Sequence, residues 1–275
     1  MSTIDWGEVD AQREILEASD NLVFKQKDIP MDGSVEVRFL PPWEGSGTYF
    51  KSRTMFWINK KPYMSLASVG LDCPLMEEYK AAQKSTDPEI KALLDHKDFN
   101  VQTDVLYPFL LIDAAYDNNG EPTSIKVNGN MGRVLSCTKG TSAKIQKIIC
   151  DPKQRRAGKG MSVMHRELGR NVTIDKTQDK NFVAYTAKAD PSAMDLSSKD
   201  FDAFYADIPN LDRFLRDQVK DAAYLRGVIR NYLYGDELVA EPEATKEDAK
   251  GTKSTKKAPK AKGGILGDVD GLKDE

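Results

Sequence analysis

Two short runs place aromatic and basic side chains next to one another: Val35-Glu36-Val37-Arg38-Phe39-Leu40-Pro41-Pro42-Trp43, and Tyr49-Phe50-Lys51-Ser52-Arg53-Thr54-Met55-Phe56-Trp57. Each reads as a strand, and a Pro/Gly loop (Pro41 to Gly47) joins them. Alternation with period two puts Val35, Val37 and Phe39 on one face and Glu36, Arg38 and Leu40 on the other. In the second run Tyr49, Lys51, Arg53 and Met55 oppose Phe50, Ser52, Thr54 and Phe56. Cations beside rings are suited to holding a flexible polyanion by phosphate neutralisation and base stacking. Lys51, Arg53, Lys60 and Lys61 form one expected wall of such a groove, with Trp57, Tyr63 and Tyr107 as stacking platforms. Lys153, Arg155, Arg156 and Lys159 lie in a glycine-containing loop that leads into Met161–Arg170, adding Arg166 and Arg170 to the opposite wall. The alternative is an ordinary half-solvated sheet whose aromatics are core.

Enzymatic chemistries find less. His96 and His165 lie 69 residues apart, and no Gly-x-Ser-x-Gly elbow is present. Gly158-Lys159-Gly160-Met161-Ser162 lacks the full phosphate-loop pattern. Asp113, Asp117, Asp175 and Asp179 have the density of ordinary loop carboxylates. Cys73 has no Cys or His two to four positions away, so no zinc site is expected. No cofactor and no metal are predicted.

The elements that must position these residues are set within 275 residues, 40% hydrophobic and 30% charged. That is enough for one large core and a tail. No run is long and apolar enough to span a membrane, and the acidic Met1–Trp6 start does not read as a signal peptide. Three widely spaced cysteines suggest buried thiols in a reducing cytoplasm rather than a disulfide framework. The net charge of −3 conceals segregation: residues 120–190 hold 14 Lys/Arg against 6 Asp/Glu, whereas residues 71–119 hold 4 against 10. Footprint governs polyanion binding more than total charge.

Residues 7–19 read as a short helix within an N-terminal arm, 1–32. The core, 33–208, is expected to be mainly β with helical insertions. A third strand is expected over Tyr63–Ala67, helices over Pro74–Ser85 and Asp87–Leu94, and a strong strand over Val105–Asp113. Pro108 in that strand implies an edge or a bulge. Gly132 to Cys150 is expected to carry one helix or two short ones and Met161–Arg170 to be strand-like, with closing strands near 172–174 and 182–187. Short strands, Gly/Pro turns and helices in the connections favour an OB-fold-like five-stranded barrel. A single C-terminal helix follows in 209–238, with Asn210 as its N-cap. The remainder, 239–275, reads as a disordered linker and acidic tip. Within it Lys250–Lys262 carries six lysines and no acid, and the last 13 residues carry four acids and four aliphatic side chains. Such an acidic-apolar tip suits docking to other proteins.

Val37-Arg38-Phe39-Leu40-Pro41, Asp72-Cys73-Pro74 after Ser65–Gly70, and the plan of barrel, linker and acidic tip together resemble a known family. It is that of the single-stranded DNA-binding proteins of tailed bacteriophages, the group that includes the T-even helix-destabilising protein. The resemblance implies an OB-fold core and cooperative binding of single-stranded DNA with little sequence preference. It also implies Arg38 in the DNA cleft, and Asp268, Asp270, Asp274 and Glu275 as the tip that contacts replication and recombination partners. Two departures stand out. Cys73 alone matches the family's zinc site, and residues 1–34 are acidic where the family has a basic arm.

The function expected is non-enzymatic, sequence-nonspecific binding and protection of single-stranded DNA during phage replication, recombination and repair, in the cytoplasm of the infected host. The rival readings are a chaperone of double-stranded DNA or RNA, a metal-dependent nuclease, and a virion-associated protein-interaction module.

Overall fold

The computed structural model describes residues 22–116, 122–127, 133–151, 163–180 and 182–236. The chain divides into two units, Met1–Glu241 and Pro242–Glu275, and the described residues all belong to the first. The helix expected over 7–19, the cationic stretch 153–159 and the acidic tip lie outside the described residues.

The strands are β1 (Val23–Lys25), β2 (Ser34–Phe39), β3 (Lys51–Ile58), β4 (Lys61–Met64), β5 (Phe99–Tyr116), β6 (Pro122–Val127), β7 (Val134–Thr138), β8 (Val172–Asp179) and β9 (Phe182–Ala189). β5, at 18 residues, is the spine. Its first half pairs antiparallel with β3 from Phe99 to Leu106 and with β7 from Asp104 to Pro108. Its second half pairs with β2 over Phe109–Ile112 and with β6 over Ile112–Tyr116. Pro108 has no N–H to donate, and it falls where the β3 ladder has ended and the β2 ladder begins. From β2 the sheet continues antiparallel through β8 to β9, and from β7 it continues parallel to β1.

This architecture corrects the expected five-stranded OB-like barrel. The sheet has nine strands and mixed polarity, and the path β1-β7-β5-β2-β8-β9 does not close: β9 pairs with β8 alone and β1 with β7 alone. The described residues also include six α-helices: α1 (Pro74–Lys84), α2 (Pro88–Leu94), α3 (Lys139–Ile149), α4 (Asp202–Ala206), α5 (Leu211–Arg216) and α6 (Ala222–Tyr234). The likeness to the phage proteins, drawn from two short motifs and a plan of barrel, linker and acidic tip, fails on the barrel, as does any assignment of single-stranded DNA binding from an OB-fold.

Local rules account for most element ends. α1 and α2 open on Pro74 and Pro88 at their first positions, where a missing N–H costs nothing. Asp87 caps α2 by accepting the Glu89 N–H at 2.8 Å. Asn59 and Lys60, at φ 50° and 64°, form the two-residue turn between β3 and β4, whose left-handed backbone suits the twist of a tight hairpin. The stretch ending at Cys150 carries one helix, α3, and a strand before it: Val134–Thr138 is β7, four of whose five residues are buried. The segment 163–168 forms turns rather than a strand.

The expected single C-terminal helix is two. Asn210 caps α5 through the Arg213 N–H at 3.0 Å, Asp221 caps α6 through the Tyr224 N–H at 2.9 Å, and Gly235 ends α6 at φ 73°. The break lets two apolar stripes enter different cores. Leu211 and Leu215 pack with Trp43, Met64, Leu106 and Val134. Leu225, Ile229 and Leu233 pack with Phe56, Ile58, Phe99 and Leu75. Each such fully buried Leu or Phe contributes about 2–3 kcal/mol. The largest core lies under α3, where Phe39, Tyr107, Phe109 and Leu135 meet Ile145 and Ile149.

Replacing Asp221 with Ala removes the α6 cap and should lower stability by about 1 kcal/mol, read as a lower urea midpoint at unchanged slope. A midpoint equal to wild type would show that α6 is held by its packing alone.

Candidate nucleic-acid interface

Strand β3 ends in an exposed ring. Phe56 and Ile58 are buried, and Trp57 between them faces the other way with 38% of its surface exposed. Sheet register sets its neighbours: Pro62 on β4 and Asn100 on β5 lie directly across from Trp57, and Gln102 lies one row along across from Met55. Pro62, Asn100 and Gln102 are all exposed. The β3–β4 turn then places Lys60 at the hairpin tip and Lys61 at the head of β4. The Lys60 side chain is 81% exposed, and its ammonium is 4.0 Å from Asp98, at the outer limit of an ion pair. The ring of Trp57 and the amides of Asn100 and Gln102, the latter donating to Asp104 at 2.8 Å, therefore share one face near the hairpin tip that carries Lys60, while Lys61, across from Ile58, starts β4 on the opposite face. An indole face takes a base by stacking, ammonium groups neutralise phosphate, and amides accept or donate to base edges.

A second group of rings sits at the other end of β3. Tyr49 and Phe50 are half-buried, with centroids 6.4 and 5.8 Å from the ring of Tyr107. The Tyr49 hydroxyl is 3.3 Å from the sulfur of Cys150, just past α3, where Lys147 is exposed on the last turn. Tyr49 and Phe50 were legible as rings abutting Lys51 but carry no distinctive spacing. The stretch bearing Lys153, Arg155, Arg156 and Lys159 starts shortly beyond Cys150 and lies outside the described residues, as do Asp268, Asp270, Asp274 and Glu275.

The other expected site residues are placed elsewhere. Arg38 is fully buried and donates to Asn171 Oδ1 at 2.8 Å, to the His165 carbonyl at 3.0 Å and to the Met194 carbonyl at 2.7 Å. It is a cross-link inside the protein, not a cleft residue. Gly169 makes this possible, since a Cβ there would lie 2.1 Å from the His165 carbonyl oxygen and 2.7 Å from Arg38 Nη1. Tyr107 is also fully buried; its hydroxyl pairs with Ser142 at 2.7 Å, and burial pushes its pKa up to about 12. Tyr63 is buried with Phe56 and Leu66. These two rings are core, not stacking platforms.

Lys51 and Arg53 point toward α5 and its following turn. Lys51 pairs with Asp212 at 2.7 Å and lies over the buried ring of Trp43, while Arg53 pairs with Asp104 at 3.3 Å and donates to Gln218 at 3.2 Å. Arg166 is spent on the carbonyls of Leu196, Ser197 and Ser198, on Asp202, and on the face of Tyr205. Arg170 is half-buried. Of the expected site, Trp57, Lys60 and Lys61 are left exposed near the β3–β4 turn.

No family model matches the chain, and no curated protein matches it. Among the described residues no group of three or more His, Cys, Asp or Glu could hold a metal ion, and no helix is long and apolar enough to cross a membrane.

Arg38 supplies a direct check of its placement. Arg38→Ala strands three buried acceptors, and hydrogen bonds to a charged group are worth about 1.5–3 kcal/mol each, so a loss of at least about 3 kcal/mol is expected in chemical denaturation. Unchanged stability would return Arg38 to the surface.

Proposed function

We propose that the protein binds unpaired nucleic-acid strands without reading their sequence, through stacking on Trp57 and phosphate contact by Lys60 and Lys61. One observation carries the reading: an indole left open on a sheet surface whose rim bears two solvated ammonium groups. A duplex buries its base faces in its own stack, so an exposed ring of this kind favours a single strand. Stacking on an aromatic is worth about 1–3 kcal/mol per base and tolerates any base. The rings of Tyr49 and Phe50 beside Lys147 support a second contact region. Free thiols, one of them exposed at Cys150, support a reducing cytoplasm as the setting.

The test is fluorescence anisotropy of a labelled oligo-dT at several salt concentrations, with duplex DNA of equal length as competitor. Wild type should bind the single strand more tightly than the duplex. Trp57→Leu should weaken binding about tenfold, the loss of one stacked base. Lys60→Ala with Lys61→Ala should reduce the slope of log affinity against log salt by about 1.4, the release of two counterions from a single strand. No binding at low salt, or equal affinity in the Trp57→Leu variant, overturns the proposal.

A further inference from the structure

The tip of the β3–β4 hairpin is stitched to the turn that precedes β5. Asn59 N–H donates to the Asp98 carbonyl at 2.9 Å, next to the Ile58–Phe99 pair that ends the β3–β5 ladder. Asp98 N–H in turn donates to His96 Nδ1 at 3.3 Å, and Phe99 N–H to the His96 carbonyl at 2.9 Å. Asp98 is therefore fixed through its backbone from both sides, two positions before Asn100, the residue across from Trp57. At about 3.4 Å of rise per strand residue, this sets a carboxylate about 7 Å along the sheet from the stacking face.

The carboxylate itself has few partners. Its Oδ1 is buried and accepts no hydrogen bond from the described residues. Its Oδ2 is 3.6 Å from His96 Nδ1, which is already taken by the Asp98 N–H. The Tyr232 hydroxyl of α6, whose pKa is raised by burial and then by the Asp98 charge, donates to the Leu93 carbonyl at 2.8 Å instead. What Asp98 does have is Lys60, whose ammonium is 4.0 Å from Oδ1. The two ions differ in freedom. The Asp98 side chain is 26% exposed and sits in a clamped turn, whereas that of Lys60 is 81% exposed and swings on four carbons from a hairpin tip. The anion stays, and the cation can leave.

We propose that Asp98 is a built-in competitor for phosphate at Lys60, a fixed anion that a bound strand has to displace from that ammonium. This role presupposes strand binding at Trp57 and Lys60, and it sets how tight that binding is. A phosphate in contact with Lys60 lies closer to Asp98 than the screening length of about 10 Å at 0.1 M salt. It therefore meets repulsion from the carboxylate as well as attraction to the ammonium. The indole carries no charge, so stacking on Trp57 is untouched. Asp98 thereby shifts the site's grip from phosphate toward base, and a strand held mainly by stacking is released readily. Two neighbours lie outside the pair: Lys61, on the opposite face of the hairpin, and Asp95, exposed in the same turn and without an ion pair among the described residues.

Anisotropy titrations of labelled oligo-dT with the full-length protein test this. Asp98→Asn keeps the backbone bonds to Asn59 and His96 and removes only the charge. It should tighten binding about threefold at low salt, the size of an exposed ion pair. It should also steepen the slope of log affinity against log salt by up to about 0.7, one more phosphate contact on a single strand. In a Lys60→Ala background the same change should have no effect, since no phosphate is then held beside the carboxylate. In a Lys61→Ala background it should keep its full effect. Asp95→Asn, an equal change in net charge, should leave the affinity as in wild type. Wild-type binding that Asp98→Asn does not alter overturns the competitor role alone. So does a gain that persists without Lys60, or one that Asp95→Asn matches. Absence of binding by both wild type and Asp98→Asn at low salt overturns strand binding and the competitor role together.

Discussion

One strand has to find hydrogen-bond partners for 18 residues on both edges, and the architecture follows from how it does so. β5 cannot keep a single neighbour over that length, because a twisted sheet turns the partner away. It changes neighbours near Pro108, the residue that cannot donate. Upstream of that point its partners are β3 and β7, downstream β2 and β6. Along its length it serves several cores: Phe99 reaches the one under α1, α2 and α6, Val105, Tyr107 and Phe109 the one under α3, and Leu110 and Ile112 a third with Leu40 and Met194. Because the strands reached from either end of β5 finish at β1 and β9 without meeting, the sheet remains open.

The same arrangement decides where charge is spent. β2 lies between β5 and β8, and the face carrying Glu36, Arg38 and Leu40 is covered by segments 163–171 and 190–201. A guanidinium placed there must have all its donors satisfied, which explains why two otherwise irregular segments are held in register and why Gly169 has no room for a side chain. Lys51, Arg53, Arg133 and Arg166 are likewise drawn to carboxylates or carbonyls distant in sequence. Among the described residues, Arg38, Lys51, Arg53 and Arg166, which look like part of a polyanion footprint in the linear chain, are consumed in cross-linking the fold.

The turn between β3 and β4 escapes that consumption. The hairpin tip carries Lys60 away from the helices, next to Asp98 in the turn before β5, and the Trp57 face lies past the cover of α5. The indole is exposed because its strand outruns the layer that packs on it. The proposed interface is thus a rim feature of the sheet rather than a groove through its middle.

Local chemistry was decided by the amino-acid sequence itself. Alternation marked β2 and β3, prolines and Asp87 set the starts of α1 and α2, Asn210 capped α5, and Asn59-Lys60 turned a hairpin. These depend on neighbours within a few residues, so they can be read from one stretch of chain. Alternation also assigned Arg38 to the face opposite Phe39, correctly, but could not say that this face is covered. Nor could helical periodicity between 211 and 238 reveal a break, since both pieces present apolar residues at the same spacing to different cores. Whether the sheet closes, which cations find a carboxylate 51 or 161 residues away, and which of Trp57, Tyr63 and Tyr107 meets water were decided only by tertiary structure. Burial and pairing are properties of what lies across from a residue, and its own neighbours in the chain carry no record of that.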